Sequence, residues 1–348
     1  MTREADAWSA WEPPESWRRV LAIDVHTAGE PLRVILGGFP ELAGDTILER
    51  RNDARERYDS LRTALMWEPR GHADMYGCVV LPPATEKADF GVLFTHNEGF
   101  STMCGHGIIG VTRVVLDLGL FPKVEPVTSL GIDTPAGFVR AFARVEGGTV
   151  TSVYFHNVAS WVTELDATVE VPGMGRVSYD LAFGGAFYAY VDAGALGLGL
   201  EATNTSTLIV AGRAIKRAVI DAGPIEHPTD AELGFLYGTI FVGAARDPAN
   251  HSRNVCVFAD GEVDRSPTGT GVSGRLAIHH ARGDLAVDEP IAVESVIGSV
   301  FTGRIVDETT FGGRPAIVPE VEGRAYITGR QELLIDPEDP LGDGFLVK

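Results

Sequence analysis

The sequence predicts a mixed α/β (α+β) fold built from two similar lobes, each with short strands around one central helix. The glycine pattern C/T-G-x-G-x-x-G occurs twice, at Cys104–Gly110 and at Thr268–Gly274. In both copies a glycine follows the first residue by 15 positions, and a Glu-Pro pair follows it by 21. A pattern kept in register over this length indicates an internal repeat of roughly 160 residues. Each lobe thus presents one side chain at the start of a helix, a thiol in one copy and a hydroxyl in the other.

Two helices stand out from a background of short strands. Residues 105–118 are apolar on nearly all sides, which predicts a buried helix. Gly119 suits the end of this helix, and Pro122 prevents its continuation. Residues 271–282 form the counterpart in the second copy, closed by Gly283.

The rest of the chain reads mainly as strands. Residues 20–37 predict a strand, a turn and a second strand, and residues 44–66 predict one charged helix. Further short apolar runs predict strands at 78–81, 91–95, 138–145, 150–155, 162–171, 187–191, 239–242, 255–258 and 291–296.

No linker separates the two lobes. We expect an extension at 1–19 that carries three tryptophans and packs onto the body, a first lobe at 20–160 and a second lobe at 161–348. The C-terminal tail of the second lobe is free to pack back on the first.

Composition excludes several classes of protein. The 348 residues are 45% hydrophobic and 22% charged, which is typical of a soluble globular chain. A net charge of -19 argues against a nucleic-acid partner, because nothing would neutralise phosphates. No stretch of about 18 uninterrupted apolar residues is present, so no membrane partner is expected.

Cysteine usage points to a reducing compartment. The three cysteines are Cys78, Cys104 and Cys256, an odd and sparse set that argues against disulfides. The N-terminus lacks the pattern of a signal peptide, so we expect a cytoplasmic protein. No Cys/His cluster has zinc spacing, so no metal site is expected. Cys78 and Cys256 lie in apolar runs typical of inert core thiols, whereas glycines flank Cys104.

The glycine pattern also resembles a dinucleotide-binding fingerprint. That motif requires a strand that runs directly into the glycines. Residues 97–102 precede Cys104 without an apolar strand, and residues 264–267 precede Thr268 in the same way. The sequence therefore disfavours a nucleotide cofactor.

A helix start rich in small residues suits a carboxylate. Its first backbone N–H groups have no partner within the helix, and its dipole is positive at that end. The same field lowers the pKa of a thiol, so we expect Cys104 to supply a thiolate near neutral pH. A thiolate beside a bound carboxylate is placed to remove the proton from the α-carbon.

From residue 20 onward the chain resembles the proline racemase family. The matching segments are 24–31 (DVHTAGEP), 68–75 (EPRGHADM), 103–107 (MCGHG), 183–188 (FGGAFY) and 264–271 (DRSPTGTG). The resemblance implies a diaminopimelate-epimerase-like fold, with two pseudo-symmetric lobes, each a curled sheet around a central helix, and the active site between them. It also implies catalysis without metal, pyridoxal phosphate or nucleotide.

The resemblance carries a departure that changes the expected reaction. Racemases and epimerases of this family use two cysteines on opposite faces of the α-carbon, and here Cys104 matches the first while Thr268 occupies the second position. A hydroxyl does not ionise at neutral pH, so the pair is similar to that of family members that dehydrate trans-3-hydroxy-L-proline to Δ1-pyrroline-2-carboxylate. In this substrate the hydroxyl and the α-hydrogen lie on the same ring face, so one thiol suffices.

The resemblance also assigns a binding site for a hydroxyproline-type imino acid. Asp264 is expected to pair with the ring amine, and the His106 side chain either assists protonation of the leaving group or is only structural. The other expected binding residues hold the carboxylate through backbone N–H groups or line the ring pocket: Gly105, His106, Gly269 and Thr270 for the carboxylate, and Tyr76 and Phe258 for the ring.

Other functions stay open. The first is a 4-hydroxyproline 2-epimerase or proline racemase with an unusual second acid. The second is a catalytically silent amino-acid-binding protein, against which the intact Cys104 and Asp264 argue. A cofactor-dependent oxidoreductase is the third. The oligomeric state is not fixed by the sequence, and a homodimer is one possibility.

Overall fold

A computed structural model describes residues 11–347 of the chain. Within these residues the α-helices, labelled α1 to α5, are Ile47–Arg57, Asp59–Met66, Gly105–Asp117, Thr205–Ala222 and Gly269–Arg282. The strands β1 to β9 are Arg18–Thr27, Glu30–Gly37, Tyr76–Leu81, Phe90–His96, Gly99–Ser101, Val127–Thr134, Gly137–Glu146, Thr149–His156 and Trp161–Val171. The strands β10 to β18 are Gly175–Phe183, Phe187–Asp192, Leu236–Gly243, Ser252–Phe258, Glu262–Val263, Ile291–Glu294, Val300–Phe311, Arg314–Gly323 and Ala325–Ile335. Short 3₁₀ helices lie at Gly194–Leu196, Ala202–Asn204 and Ala231–Leu233.

The strands form the same ladder twice. In the first half the order is β18, β1, β2, β3, β4, β6, β7 and β8. In the second half it is β9, β10, β11, β12, β13, β15, β16 and β17. Along both ladders the third and fifth pairings are parallel and the others antiparallel. The internal repeat read from the glycines is thus a repeat of sheet topology.

Each ladder curls around one apolar helix. Helix α3 packs on β1, β2, β7 and β8, and α5 packs on β9, β10, β16 and β17. Ile108, Val111 and Val115 of α3 are fully buried, as are Val272 and Leu276 of α5. Each such side chain contributes roughly 1.5–3 kcal/mol of transfer free energy. These two helices are therefore fixed by their own sheets, and their N-termini are fixed with them.

One helix was missed by the sequence analysis. Helix α4 joins β11 to β12, whereas α1 and α2 join β2 to β3 at the equivalent place in the first half. The predicted single helix at 44–66 is divided at Tyr58, whose φ of -132° and ψ of 22° end α1 and begin α2. The segment before Cys104 also contains the short strand β5, which the sequence did not predict.

The last strand returns to the first half of the molecule. Strand β18 pairs with β1 from Arg18–Ile335 to Thr27–Ala325, and β17 pairs with β8. The β17–β8 pairing joins the two ladders, and the division at residue 160 stays a prediction. In the extension, Trp8 lies outside the described residues. Trp11 is 56% exposed and contacts Trp17 edge-on with ring centroids 6.2 Å apart, so it is not packed into the body.

None of the helices in the described part is long and apolar enough to cross a membrane.

The buried carboxyl group of Glu294, at the end of β15, makes the stability of the fold depend on pH. Its buried carboxylate accepts hydrogen bonds from the Arg246 and Asp247 amides at 2.7 and 2.8 Å and from Asn250 at 2.9 Å, and it pairs with Arg253 at 3.1 Å. Burial alone would raise the pKa of Glu294, but these hydrogen bonds outweigh it and lower the pKa to about 2. The carboxylate thus stabilises the fold above its unfolded pKa, and this contribution is lost as the pH falls toward 2.

We therefore expect Glu294→Gln to be less stable than the wild type at pH 7, with the difference shrinking as the pH falls below about 4. Urea unfolding at a series of pH values measures this. Glu338→Gln is the control, because Glu338 is exposed. A stability difference that stays constant down to pH 2.5 would contradict the prediction.

Candidate active site

A cavity lined by buried residues lies where the N-termini of α3 and α5 meet. All the residues expected from the sequence line it, together with three more: Tyr76, Cys104, Gly105, His106, Phe258, Asp264, Thr268, Gly269 and Thr270 were expected, and Met103, Tyr188 and Tyr237 were not. The structure therefore brings together two segments separated by more than 150 residues in the sequence.

The two helix starts touch through their glycines. A Cβ atom on Gly105 would lie 2.6 Å from the Cα of Gly269, and one on Gly269 would lie 2.7 Å from the Cα of Gly105. No side chain fits there, because the neighbouring atoms are backbone. The first-turn N–H groups of both helices thus face one small volume, and both helix dipoles are positive at that point. This arrangement suits one carboxylate.

Cys104 occupies the N-cap position of α3. Its extended backbone (φ -147°, ψ 111°) places Sγ where it accepts a hydrogen bond from the Gly107 amide at 3.2 Å. The Nδ1 atom of His106 also lies 3.2 Å from Sγ. Gly107 leaves room for the sulfur, since a Cβ at that position would be 3.0 Å from it. The thiol is held between a backbone donor and an imidazole.

The expected low pKa of Cys104 is wrong for this site. Cys104 is only 5% exposed, and burial raises its pKa well above the ordinary value. The Gly107 amide acts in the opposite direction but is outweighed, and the charge of Asp264 raises the pKa further. The helix N-terminus therefore does not create a free thiolate by itself, and the thiol needs a base beside it.

His106 is suited to be that base. Burial lowers the pKa of His106 to about 4, against the opposing effects of Asp264 and of a hydrogen bond to the Pro31 backbone. The imidazole is therefore neutral near pH 7. A neutral imidazole carries one bare nitrogen, which can accept the thiol proton.

Thr268 has an unusual backbone. Its φ is 65° and its ψ 96°, a region that a β-branched residue rarely adopts. The Thr268 hydroxyl does not cap α5. Instead, it donates to Oδ2 of Asp264 at 2.8 Å, while the Ser266 hydroxyl accepts from the Thr268 amide at 3.1 Å. The other Asp264 oxygen accepts from the Ser266 amide at 2.7 Å. Thr268 and Asp264 thus form one buried hydrogen-bonded unit.

This unit is anchored to the first half of the molecule. The Arg265 amide donates to the buried carboxyl of Glu30 at 2.7 Å, and the Arg265 guanidinium donates to the Asp74 carbonyl at 3.2 Å. Burial, followed by the charge of Asp264, raises the pKa of Glu30 well above its ordinary value. These contacts hold the loop at 264–267 against the β1–β2 turn and fix the position of Asp264.

Aromatic rings form the remaining wall. The ring centroids of Tyr76 and His106 are 4.8 Å apart, and those of Tyr237 and Phe258 are 5.4 Å apart. The Tyr188 hydroxyl lies 2.8 Å from Oγ1 of Thr270. Tyr237 lies near the start of β12, which occupies in the second half the place that β3, beginning at Tyr76, occupies in the first. The repeat therefore carried a signal for Tyr237 that the sequence analysis did not use.

The other two cysteines lie outside the cavity lining. Cys78 and Cys256 are fully buried and free, and burial raises the pKa of each. Across residues 11–347, no group of three or more His, Cys, Asp or Glu side chains is placed to hold a metal ion.

The two halves share one strand order, and a buried thiol lies where their central helices begin. These features define a two-lobed α/β scaffold suited to acid–base chemistry at a ligand that carries a carboxylate. The chain belongs to the proline racemase family, since the family model described as Proline racemase matches residues 22–346.

Similar proteins refine this placement. The chain is 46% identical to a trans-3-hydroxy-L-proline dehydratase from Colwellia psychrerythraea, over 100% of this chain and 99% of that protein. It is also 46% identical to a 3-hydroxyproline 2-epimerase from Burkholderia multivorans, over 95% of this chain and 99% of that protein. The solved structure of a hydroxyproline epimerase from Agrobacterium vitis, with bound trans-4-OH-L-proline, matches with a TM-score of 0.90 at 34% identity, covering 95% of this chain and 96% of that one. This likeness, and weaker ones that show the fold alone, confirm the predicted diaminopimelate-epimerase-like fold.

The contact between the helix starts can be tested with Gly269→Ala. The added Cβ meets backbone that cannot give way, so we expect a loss of about 1–3 kcal/mol in unfolding free energy and a wider gap between the helices. Thermal unfolding and turnover measure both effects. Gly223→Ala is the matched control, because a Cβ there meets open space. A Gly269→Ala protein with wild-type stability and activity would show that the contact is not needed.

Proposed function

We propose that the protein dehydrates trans-3-hydroxy-L-proline to Δ1-pyrroline-2-carboxylate and water. The observation that carries the proposal is the asymmetry of the site, which has a thiol at Cys104 and, at the matching N-cap of the facing helix, the hydroxyl of Thr268. A relative 46% identical over the whole chain, named trans-3-hydroxy-L-proline dehydratase, supports it.

In the proposed complex the carboxylate lies between the two helix starts. The backbone N–H groups of Gly105, His106, Gly269 and Thr270 face that position and would donate to it. The Asp264 carboxylate would accept from the ring amine, since an oxygen already bonded to one donor keeps a second lone pair. Tyr76 and Phe258 would enclose the ring.

The proposed reaction begins with proton transfer from Cys104 to His106. The two groups are 3.2 Å apart, and the carboxylate-binding end of α3 favours the resulting thiolate. The thiolate takes the α-proton, and the electron pair forms the C2–C3 double bond as the C3–O bond breaks. The departing hydroxide takes the proton from His106 and becomes water. The enamine then tautomerises to the imine, and the thiol and the neutral imidazole are restored.

Thr268 is assigned a positioning role in this scheme. Its hydroxyl donates to Asp264 and so holds the carboxylate that would bind the amine. It cannot return a proton to the opposite face of the α-carbon, because an alcohol is far too weak an acid. Elimination from one face needs no such donor.

The test of the proposal is an assay with the purified protein. Trans-3-hydroxy-L-proline is supplied with an imine reductase, and proline is measured. We expect turnover by the wild type and a fall in the turnover rate of about 10³-fold or more in Cys104→Ser. The reason is that a serine hydroxyl stays un-ionised near neutral pH and is a much weaker base than the Cys104 thiolate. Cys78→Ala is the control, since Cys78 is a core thiol outside the cavity. No proline from the wild type would refute the proposal.

The second candidate is epimerisation, favoured by the Burkholderia multivorans relative named 3-hydroxyproline 2-epimerase. We expect Thr268→Cys to gain α-proton exchange or epimerisation, because a thiol then stands at the start of each helix. Chiral chromatography of trans-3- and trans-4-hydroxy-L-proline after incubation measures this. Epimer formed by the wild type would show that Thr268 is no barrier, and a variant that remains a pure lyase would place the control of the reaction elsewhere in the pocket.

Three further properties stay predictions: action without a cofactor, a cytoplasmic location and a homodimer. An assay without any added cofactor tests the first property. A measurement of the protein's mass in solution tests the homodimer.

A further inference from the structure

One tyrosine that lines the cavity has a hydroxyl without a hydrogen bond. Tyr237 is 7% exposed, and its Oη atom is buried and makes no hydrogen bond to any other described residue. The other two phenols of the wall are engaged, Tyr76 with the Ser101 hydroxyl and Tyr188 with Thr270. Tyr237 is therefore the cavity phenol that remains available to a ligand.

An unpaired buried hydroxyl is costly. Leaving such a group without a hydrogen bond costs about 1–3 kcal/mol, and native proteins keep few of them. A phenylalanine would fill the same wall without that cost. A hydroxyl retained in a cavity is therefore expected to meet a polar group of the ligand.

Tyr237 remains a donor at neutral pH. Burial raises the pKa of Tyr237 well above its ordinary value, and the nearby Glu262 carboxyl raises it further, outweighing the opposing effect of Tyr76. Glu262 is fully buried next to His96, with 3.4 Å between its Oε1 and the His96 Nδ1. The phenol therefore keeps its proton and can donate it in a hydrogen bond.

We propose that Tyr237 donates a hydrogen bond to the 3-hydroxyl oxygen of the substrate. This hydrogen bond becomes stronger as the C3–O bond breaks and negative charge grows on the oxygen. This inference rests on the proposed dehydration. The α-hydrogen and the 3-hydroxyl share one ring face in trans-3-hydroxy-L-proline, so the oxygen departs on the side of Cys104. Tyr237 and Cys104 line the same cavity.

The proton balance of the reaction is unchanged by this role. His106 supplies the proton that converts hydroxide to water, and Tyr237 keeps its own proton throughout. Tyr237 stabilises the negative charge that grows on the oxygen, as a preorganised donor does at an oxyanion. Tyr237 would thus determine both the position of the hydroxyl that can leave and the rate of its departure.

Tyr237→Phe tests this role. Removing one such donor costs about 10²-fold or more in kcat, so we expect dehydration of trans-3-hydroxy-L-proline to fall by about that factor. The melting temperature should change little, because the removed hydroxyl makes no well-formed hydrogen bond in the described part of the protein and has only the Tyr76 hydroxyl near it. The control is Tyr179→Phe, whose ring is buried in a separate cluster away from the cavity. A Tyr237→Phe enzyme within about 3-fold of the wild type would overturn the inference, whereas an inactive wild type would refute the proposed function instead.

A second substrate separates this role from a simple effect on pocket shape. Chloride leaves without needing a proton or a strong donor, so elimination from trans-3-chloro-L-proline should be much less sensitive to Tyr237→Phe than dehydration is. We expect a loss of less than about 5-fold with the chloro substrate. Equal losses with both substrates would show that Tyr237 only shapes the pocket, and would overturn the inference.

Discussion

The site depends on the backbone contact between Gly105 and Gly269. Each Cα occupies the space where the other residue's Cβ would lie, so the starts of α3 and α5 meet as closely as two backbones can. Each helix is held independently by the curled sheet around it, and the contact is therefore fixed by two separate cores rather than by local loops. Two helix dipoles with the same sign converge there, which is unfavourable without an anion. The fold thus creates a region of positive potential at the two helix N-termini, and a bound carboxylate would neutralise it.

In the proposed reaction, the same positive potential favours ionisation of the buried thiol. Burial raises the pKa of Cys104, and the Gly107 amide offsets only part of this effect. His106 supplies what the helix does not, because burial acts on an imidazole in the opposite direction and keeps it neutral. One environment therefore produces a protonated acid and an unprotonated base 3.2 Å apart. Because burial moves their two pKa values apart, proton transfer from Cys104 to His106 is unfavourable in the empty site, and in the proposed reaction it depends on the stabilisation that the converging helices give to the thiolate.

The sequence predicted the parts of the structure that have a local signal. The glycine repeat located both central helices and both helix starts, because close backbone approach leaves only glycine. Helix α4 was missed, although its counterpart at 44–66 was read correctly as helical, so the repeat contained the information. Tyr188 and Tyr237 were missed because a tyrosine in a strand looks like any core residue until the curl of the sheet brings it to the cavity. The pKa of Cys104 was misjudged for a related reason, since burial is a property of the whole fold.

The differences between the two halves matter more for chemistry than their likeness. Phe100 precedes Cys104 by four positions, whereas Asp264 precedes Thr268 by four, so the repeat supplies one carboxylate. The thiol half has an imidazole two residues on, and the hydroxyl half has Thr270 there, bonded to Tyr188. In the proposed reaction, one side of the cavity therefore moves protons, and the other holds the charged ligand in place. A symmetric scaffold divided in this way favours elimination from one face over exchange between two faces, since inversion needs a mobile proton on each side.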